Sequence, residues 1–274
     1  KALPYLEKAK ELGREDEWLS FEIGYSLVRL DKVNEGIEYY KKAIELGKDD
    51  IPINSELGYW LDHIGKYEEG FPYLDKAKEL GRSDEWLNTE IGFCLNRLEK
   101  YDEALLYFEK AIELGKDDEW INSEMAFCLK KLKKYDEALK YYKKAEEEGR
   151  SDEWVVSEIA ECLENLGKTE EAITKLKSFA ATETGNTDSV NSQIAYLYGR
   201  INNSEEALKY LYEAEKLGRN DIWLYSEIGW NLSGEPEKYD EALKYFEKAV
   251  ELGRDDEWIN GQIGFSLSKL GKNK

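Results

Sequence analysis

Little in this 274-residue chain can form a disulfide framework, hold a metal or shuttle a proton: it has three cysteines, one histidine, one methionine and four prolines. So sparse and odd a cysteine count fits a reducing compartment, most simply a cytoplasm. No apolar run reaches the roughly 18 residues of a membrane helix, and no signal-peptide pattern opens the chain. Basic residues are also in deficit. Lys and Arg number 39 against 59 Asp and Glu, a net charge of −20, so the basic footprint needed for non-specific nucleic-acid binding is missing. A basic partner, or solubility alone, fits that balance. With 36% charged and 41% apolar residues, the composition describes surface-rich helices around a core rather than disorder.

What the chain does have is a repeat, the first thing to look for in a sequence. Trp18, Trp86, Trp120 and Trp154 share one phase, at steps of 68, 34 and 34, with Pro52 at the missing midpoint. The phase resumes one residue late at Ser189, continues to Trp223, and slips by one again before Trp258. The two insertions fall near Gly185 and in Gly234-Glu235-Pro236-Glu237, both turn chemistry, so they lengthen loops and spare helices.

Residues 85–118 illustrate the unit. Asp84 is an N-cap candidate, and Glu85 adds negative charge to the first turn. Leu87, Ile91, Leu95 and Leu98 then recur as one apolar helical face. After a turn at Glu99-Lys100, a second helix carries Leu105, Phe108, Ala111 and Ile112, and Gly115 ends it as a left-handed C-cap. Such a helix–turn–helix unit cannot bury both faces alone and must stack on its neighbours.

Over essentially its whole length the chain resembles the tetratricopeptide-repeat family. Ile91-Gly92, Ala104, Phe108 and Ala111 match that family's pattern of large and small residues, as do Met125-Ala126, Ala138, Tyr142 and Ala145, and Ile228-Gly229, Ala242, Phe246 and Ala249. Small residues there let helix axes approach to roughly 8–10 Å. The departures mark a distinct subfamily. Asn88 or Asn122 stands where an aromatic is usual, Gly-Lys or Gly-Arg replaces the frequent proline, and Gly36 and Gly70 replace the first alanine. The resemblance implies an all-α solenoid, a right-handed superhelix forming a single array over residues 1–274, with sixteen helices arranged as seven full repeats and a half repeat at each end. An irregular joint is expected near 179–188, where Phe179 replaces an alanine and tryptophan is lost at Ser189. The chain opens on Lys1 and shows no polar capping helix, so a longer parent array is expected.

The candidate interaction residues follow from helical angles. With Ile91 at zero and about 100° per residue, Trp86 lies near −140° and Phe93 near −160°, away from the core stripe. Two aromatic rows result. One is Trp18, Trp86, Trp120, Trp154, Trp223 and Trp258; the other is Tyr25, Tyr59, Phe93, Phe127, Tyr196, Trp230 and Phe265, broken at Glu161. In the family the first helices line the concave surface, so the resemblance places both rows along a groove. The first row could equally be packing between repeats. If open, however, such rows would form a patch near 1,000 Å², well above the roughly 300–600 Å² that monomers expose without a function. Arg29, Arg97, Lys131 and Arg200 belong to a flanking polar row with His63, Asn165 and Lys269, and Glu22, Glu56, Glu90, Glu124, Glu158, Gln193, Glu227 and Gln262 form a second. These rows are either solvated flanks or groove edges that read both signs of a peptide. The family's carboxylate clamp is not carried over, because its positions hold Trp, Ser or Thr, Glu and aromatics.

No catalytic, metal or cofactor site is expected. Cys94, Cys128 and Cys162 lie 34 apart in one phase, a spacing that fits neither a disulfide nor zinc and instead predicts buried small residues. His63 has no motif partner, the glycines are caps or contacts rather than a phosphate loop, and carboxylate pairs arise by chance among 59 acids. The sequence therefore predicts a protein-binding scaffold with an extended or helical peptide, basic or apolar, in its groove. A structural spacer is the alternative, with end-to-end self-association of its open ends. Sugar stacking on the aromatics is a more distant one.

Overall fold

The computed structural model describes residues 2–272 and contains sixteen α-helices and one 3₁₀ turn, with no strand among them. The chain divides into two compact units, residues 1–149 and 150–274. Unit 1 holds α1 (Leu3–Glu11), α2 (Glu17–Val28), α3 (Val33–Glu45), α4 (Ile51–His63), α5 (Tyr67–Glu79), α6 (Glu85–Arg97), α7 (Tyr101–Glu113), α8 (Glu119–Lys131) and α9 (Tyr135–Glu147). Unit 2 holds α10 (Glu153–Asn165), α11 (Thr169–Ala180), α12 (Asp188–Arg200), α13 (Ser204–Lys216), α14 (Ile222–Leu232), α15 (Tyr239–Glu251) and α16 (Glu257–Lys269). The fold is the expected all-α repeat solenoid. The insertions fall where the turn chemistry put them, between α11 and α12 and in the segment that ends in the 3₁₀ turn Pro236–Lys238. No helix among the described residues is long and apolar enough to cross a membrane.

Each first helix starts on a side-chain cap. Asp84 Oδ1 accepts the Leu87 N–H at 2.9 Å, and Asp16, Asp50, Asp118, Asp152, Asp221 and Asp256 do the same in their repeats. Thr187 takes that role in α12. The Leu19 N–H, then Arg14, hold the Asp16 carboxyl below its usual range. Each such cap contributes about 1 kcal/mol. Most second helices end in a Schellman turn, as α7 does. Gly115 adopts φ 105°, its N–H donates to Ile112 O, and the Lys116 N–H donates to Ala111 O. In six repeats the turn between the helices uses a left-handed residue: Gly65 and Gly167 in two, and Asp31, Glu99, Lys133 and Asn202, without being glycine, in four.

Packing follows the repeat. In unit 1 the pairs are α2 with α3, α4 with α5, α6 with α7 and α8 with α9; each second helix then meets the next first helix, and α4, α6 and α8 touch in succession. In unit 2, α10 pairs with α11, α12 with α13 and α14 with α15, and α10 touches α12. Tyr40, Phe108, Tyr142 and Phe246 occupy one repeat position of the second helices α3, α7, α9 and α15, where α5, α11 and α13 carry leucine, and are fully buried, each contributing roughly 2–3 kcal/mol by burial. The small residues opposite them are required. A Cβ on Gly92 would stand 2.7 Å from the Phe108 ring, and one on Gly70 2.2 Å from Asp62 Oδ1. That second contact accounts for glycine in place of the repeat's first alanine in α5. Cys94, Cys128 and Cys162 are buried free thiols, and burial pushes Cys128 up to about 12.

Candidate binding groove

The tryptophan row is held by a bracket that reads Arg-x-Asp-x-Trp. In Arg14-Asp16-Trp18, Arg82-Asp84-Trp86, Arg150-Asp152-Trp154, Arg219-Asp221-Trp223 and Arg254-Asp256-Trp258, the arginine Nε donates to the capping aspartate at 2.6–3.0 Å. The same guanidinium lies 4.2–4.8 Å from the indole centroid. One aspartate therefore caps the helix and aims the cation that fixes the tryptophan, a stacking contact of about 0.5–1 kcal/mol at partly exposed sites. Trp120 differs: Lys116 stands at the arginine position and pairs with Asp118.

Seven residues later comes the second aromatic, and it too carries a cation. Arg29 lies over Tyr25 at 4.9 Å, Arg97 over Phe93 at 4.6 Å, Lys131 over Phe127 at 5.0 Å and Lys269 over Phe265 at 5.3 Å. Tyr59 stacks on His63. Arg200 reaches Glu164 at 3.4 Å, and Arg97 reaches Glu124 at 3.7 Å, so the polar row does form ion pairs between neighbouring first helices.

Within each unit the two aromatic rows meet in a strip. Tyr59 meets Trp86 at 5.8 Å between ring centroids, Phe93 meets Trp120 at 5.7 Å, and Trp230 meets Trp258 at 5.9 Å. The second aromatic of one first helix thus touches the tryptophan of the next. Helical angles place residues on faces of a single helix, so they could not reveal this link. The rings are nonetheless not consumed by packing. Trp230 is 51% exposed and Trp18 44% exposed, with Tyr25, Tyr196, Phe265, Trp154 and Trp258 also exposed. Trp86, Trp120, Trp223, Tyr59, Phe93 and Phe127 are half-buried. The strip both joins repeats and faces solvent.

In unit 1 the strip lines two adjoining cavities that share Tyr59 and Trp86. One, of about 600 Å³, adds Phe21, Tyr25, Arg29 and Glu56. The other, of about 440 Å³, adds Asp62, Glu90, Phe93 and Trp120. Glu56 is satisfied there, accepting from Trp60 Nε1 at 3.0 Å and Tyr40 Oη at 3.3 Å. Asp62 Oδ2 has no hydrogen-bond partner, and burial pushes the carboxyls of Asp62 and Glu90 each up to about 7. Unit 2 has a smaller cavity, of about 340 Å³, lined by Tyr196, Gln193 and the carboxylates of Glu158, Glu161 and Glu164. No cluster of metal-ligating side chains occurs among the described residues.

Tetratricopeptide-repeat family models match residues 19–50, 95–153 and 235–256, and a Sel1-repeat model matches residues 192–218. The chain is a tetratricopeptide-repeat protein. No curated protein matches it in sequence. Solved structures agree on the fold. A tetratricopeptide-repeat protein from Parabacteroides merdae aligns at a TM-score of 0.63 and 15% identity, over 92% of this chain and 98% of that one. The C-terminal part of a tetratricopeptide-repeat protein from Cytophaga hutchinsonii aligns at 0.72 and 11%, over 89% and 99%. YrrB, described as a tetratricopeptide-repeat protein with an unusual peptide-binding site, aligns at 0.56 and 26%, over 69% and 96%.

Two features of this tetratricopeptide array escaped the sequence reading. The bracket was legible, since arginine precedes the tryptophan by four residues in five repeats. The Asp62–Glu90 site was not, because it depends on which residue of one repeat faces which residue of the next.

Proposed function

We propose that this tetratricopeptide-repeat chain is a protein-interaction scaffold whose unit 1 groove holds an extended or helical segment of a partner. The observation that carries the reading is the pair of adjoining cavities floored by Tyr25, Tyr59, Trp86, Phe93 and Trp120. Large rings whose freedom is already restricted by stacked cations and neighbouring rings lose little further entropy on binding, and aromatic and arginine side chains are the common hot-spot types. Arg29 and Arg97 stand at the edge of this floor. The peptide-binding site described for YrrB supports the reading at the level of the family. A spacer role is the second reading, favoured by the ring contacts between successive first helices.

Panning a randomised peptide library against the purified chain separates the two. The groove reading expects enriched peptides whose affinity falls at least tenfold with Trp86→Ala or Phe93→Ala and is unmoved by Tyr196→Ala. If no peptide enriches, or if affinity is indifferent to all three changes, the spacer reading takes its place.

A further inference from the structure

One repeat in unit 1 shows what the polar pair between successive first helices looks like when complete. Asn96 Nδ2 donates to Glu124 Oε2 at 2.6 Å, and Arg97 adds its guanidinium to the same carboxylate at 3.7 Å. The equivalent residues one repeat earlier, 34 positions back, are Asp62, His63 and Glu90. An amide donor has become a second carboxyl, so no proton bridges the pair when both are ionised. Asp62 is 3% exposed; its Oδ1 receives only the Cys94 thiol at 3.5 Å, and its Oδ2 has no hydrogen-bond partner. Arg82, whose charge reaches Glu90, is itself bound to Asp84 and stacked on Trp86.

These two carboxyls line the 440 Å³ cavity together with Tyr59, Trp86, Phe93 and Trp120. The other titratable side chains on its wall are Glu85, His63 and Lys116, and Lys116 already pairs with Asp118. A buried carboxylate with an unused lone pair costs free energy until a cation reaches it, and aromatic faces attract the same cation. We propose that this cavity is a receptor for a single basic side chain, the ammonium of lysine or the guanidinium of arginine, presented by a peptide segment lying in the groove. The proposal deepens the groove reading, on which its peptide context rests. The charge and shape of the cavity stand independently. The raised carboxyls are in keeping with it, since both would ionise fully once a cation is bound.

Two probes test it. The first is n-butylammonium, followed through the indole N–H resonances of Trp86 and Trp120, with n-butanol as the neutral twin. Butylammonium should shift both resonances at concentrations at least tenfold below those at which butanol acts, and Glu90→Gln, nearly isosteric and so expected to fold, should remove the difference. Equal responses to the two probes, or an unchanged difference in Glu90→Gln, would overturn the proposal. The second probe is the set of peptides from the library selection. Lysine or arginine at one fixed position, with at least a tenfold loss on replacement by norleucine and a much smaller loss in Glu90→Gln, is the expected result. Peptides that bind with no fixed basic residue would sink the cation pocket and leave the groove intact. A butylammonium response without any enriched peptide would leave the pocket and sink the groove.

Discussion

Unit 1 and unit 2 are built by the same device and present different surfaces. Both cap first helices with an aspartate or threonine, stack arginine on tryptophan and bury one large side chain at the same position of each second helix, Tyr40, Leu74, Phe108 and Tyr142 in unit 1 and Leu176, Leu211 and Phe246 in unit 2. In unit 1 the row of second aromatics is unbroken and only Pro52 interrupts the tryptophan row, giving the Tyr59–Trp86 and Phe93–Trp120 contacts. In unit 2 the strip is interrupted by Glu161 in α10 and by Ser189 in α12, and the cavity there is lined by three glutamates. Two positions per repeat therefore decide what the groove displays, while the scaffold beneath them is indifferent to the choice. The buried core of each repeat and the positions that differ between the units are thus largely different residues, so a repeat protein can vary its surface without losing its core.

The largest test of that separation lies in the core. Phe108→Ala and Phe246→Ala should each lower the unfolding free energy of their own unit by about 3–5 kcal/mol, measured by denaturant titration followed by circular dichroism. A marked asymmetry between the two would show that the units do not share one scaffold. Next is a change expected in unit 1 only. Asp62 sits above its ordinary value in the fold, so the folded chain binds that proton more readily than the unfolded one. Its contribution is fully present below about pH 4 and is lost as pH rises to about 7. Asp62→Asn supplies the donor that Asn96 gives Glu124, and should raise stability at pH 8 by on the order of 2 kcal/mol relative to the unchanged chain, with little gain at pH 4. A gain of the same size at both pH values would refute the assignment.

Smaller effects should be alike in the two units. Asp84→Ala and Asp221→Ala each remove a cap and free an arginine, costing about 1 kcal/mol apiece in thermal denaturation. The finest distinction is in the turns. Lys133→Gly relieves a left-handed lysine and should stabilise unit 1 by about 0.5 kcal/mol, whereas Asn202→Gly in unit 2 should gain less, because asparagine tolerates that conformation.

Most of the fold was legible because a 34-residue period repeats the same physical argument. Asp84, Gly115, Phe108 and the buried cysteines were each read from spacing alone and stand where spacing put them. The groove was legible as a list of aromatics but not as a surface. Whether Trp86 touches Tyr59 depends on the offset between α4 and α6, which the spacing of residues along one helix does not specify. The Asp62–Glu90 pair was hidden for a related reason: Glu90 reads as one acid of a repeating row and Asp62 as one among the chain's 59 acids until the fold places both on one cavity and leaves Asp62 Oδ2 without a hydrogen-bond partner.

The contact between Trp230 and Trp258 has a spectroscopic consequence. Two indoles with centroids 5.9 Å apart and planes inclined by 46° are close enough to couple their electronic transitions, so the far-ultraviolet circular dichroism is expected to carry an exciton couplet on top of the helical signal. Its amplitude depends on the separation and angle of the rings, which α14 and α16 fix. Without any added label, unit 2 contains an optical gauge of how one repeat is seated on the next.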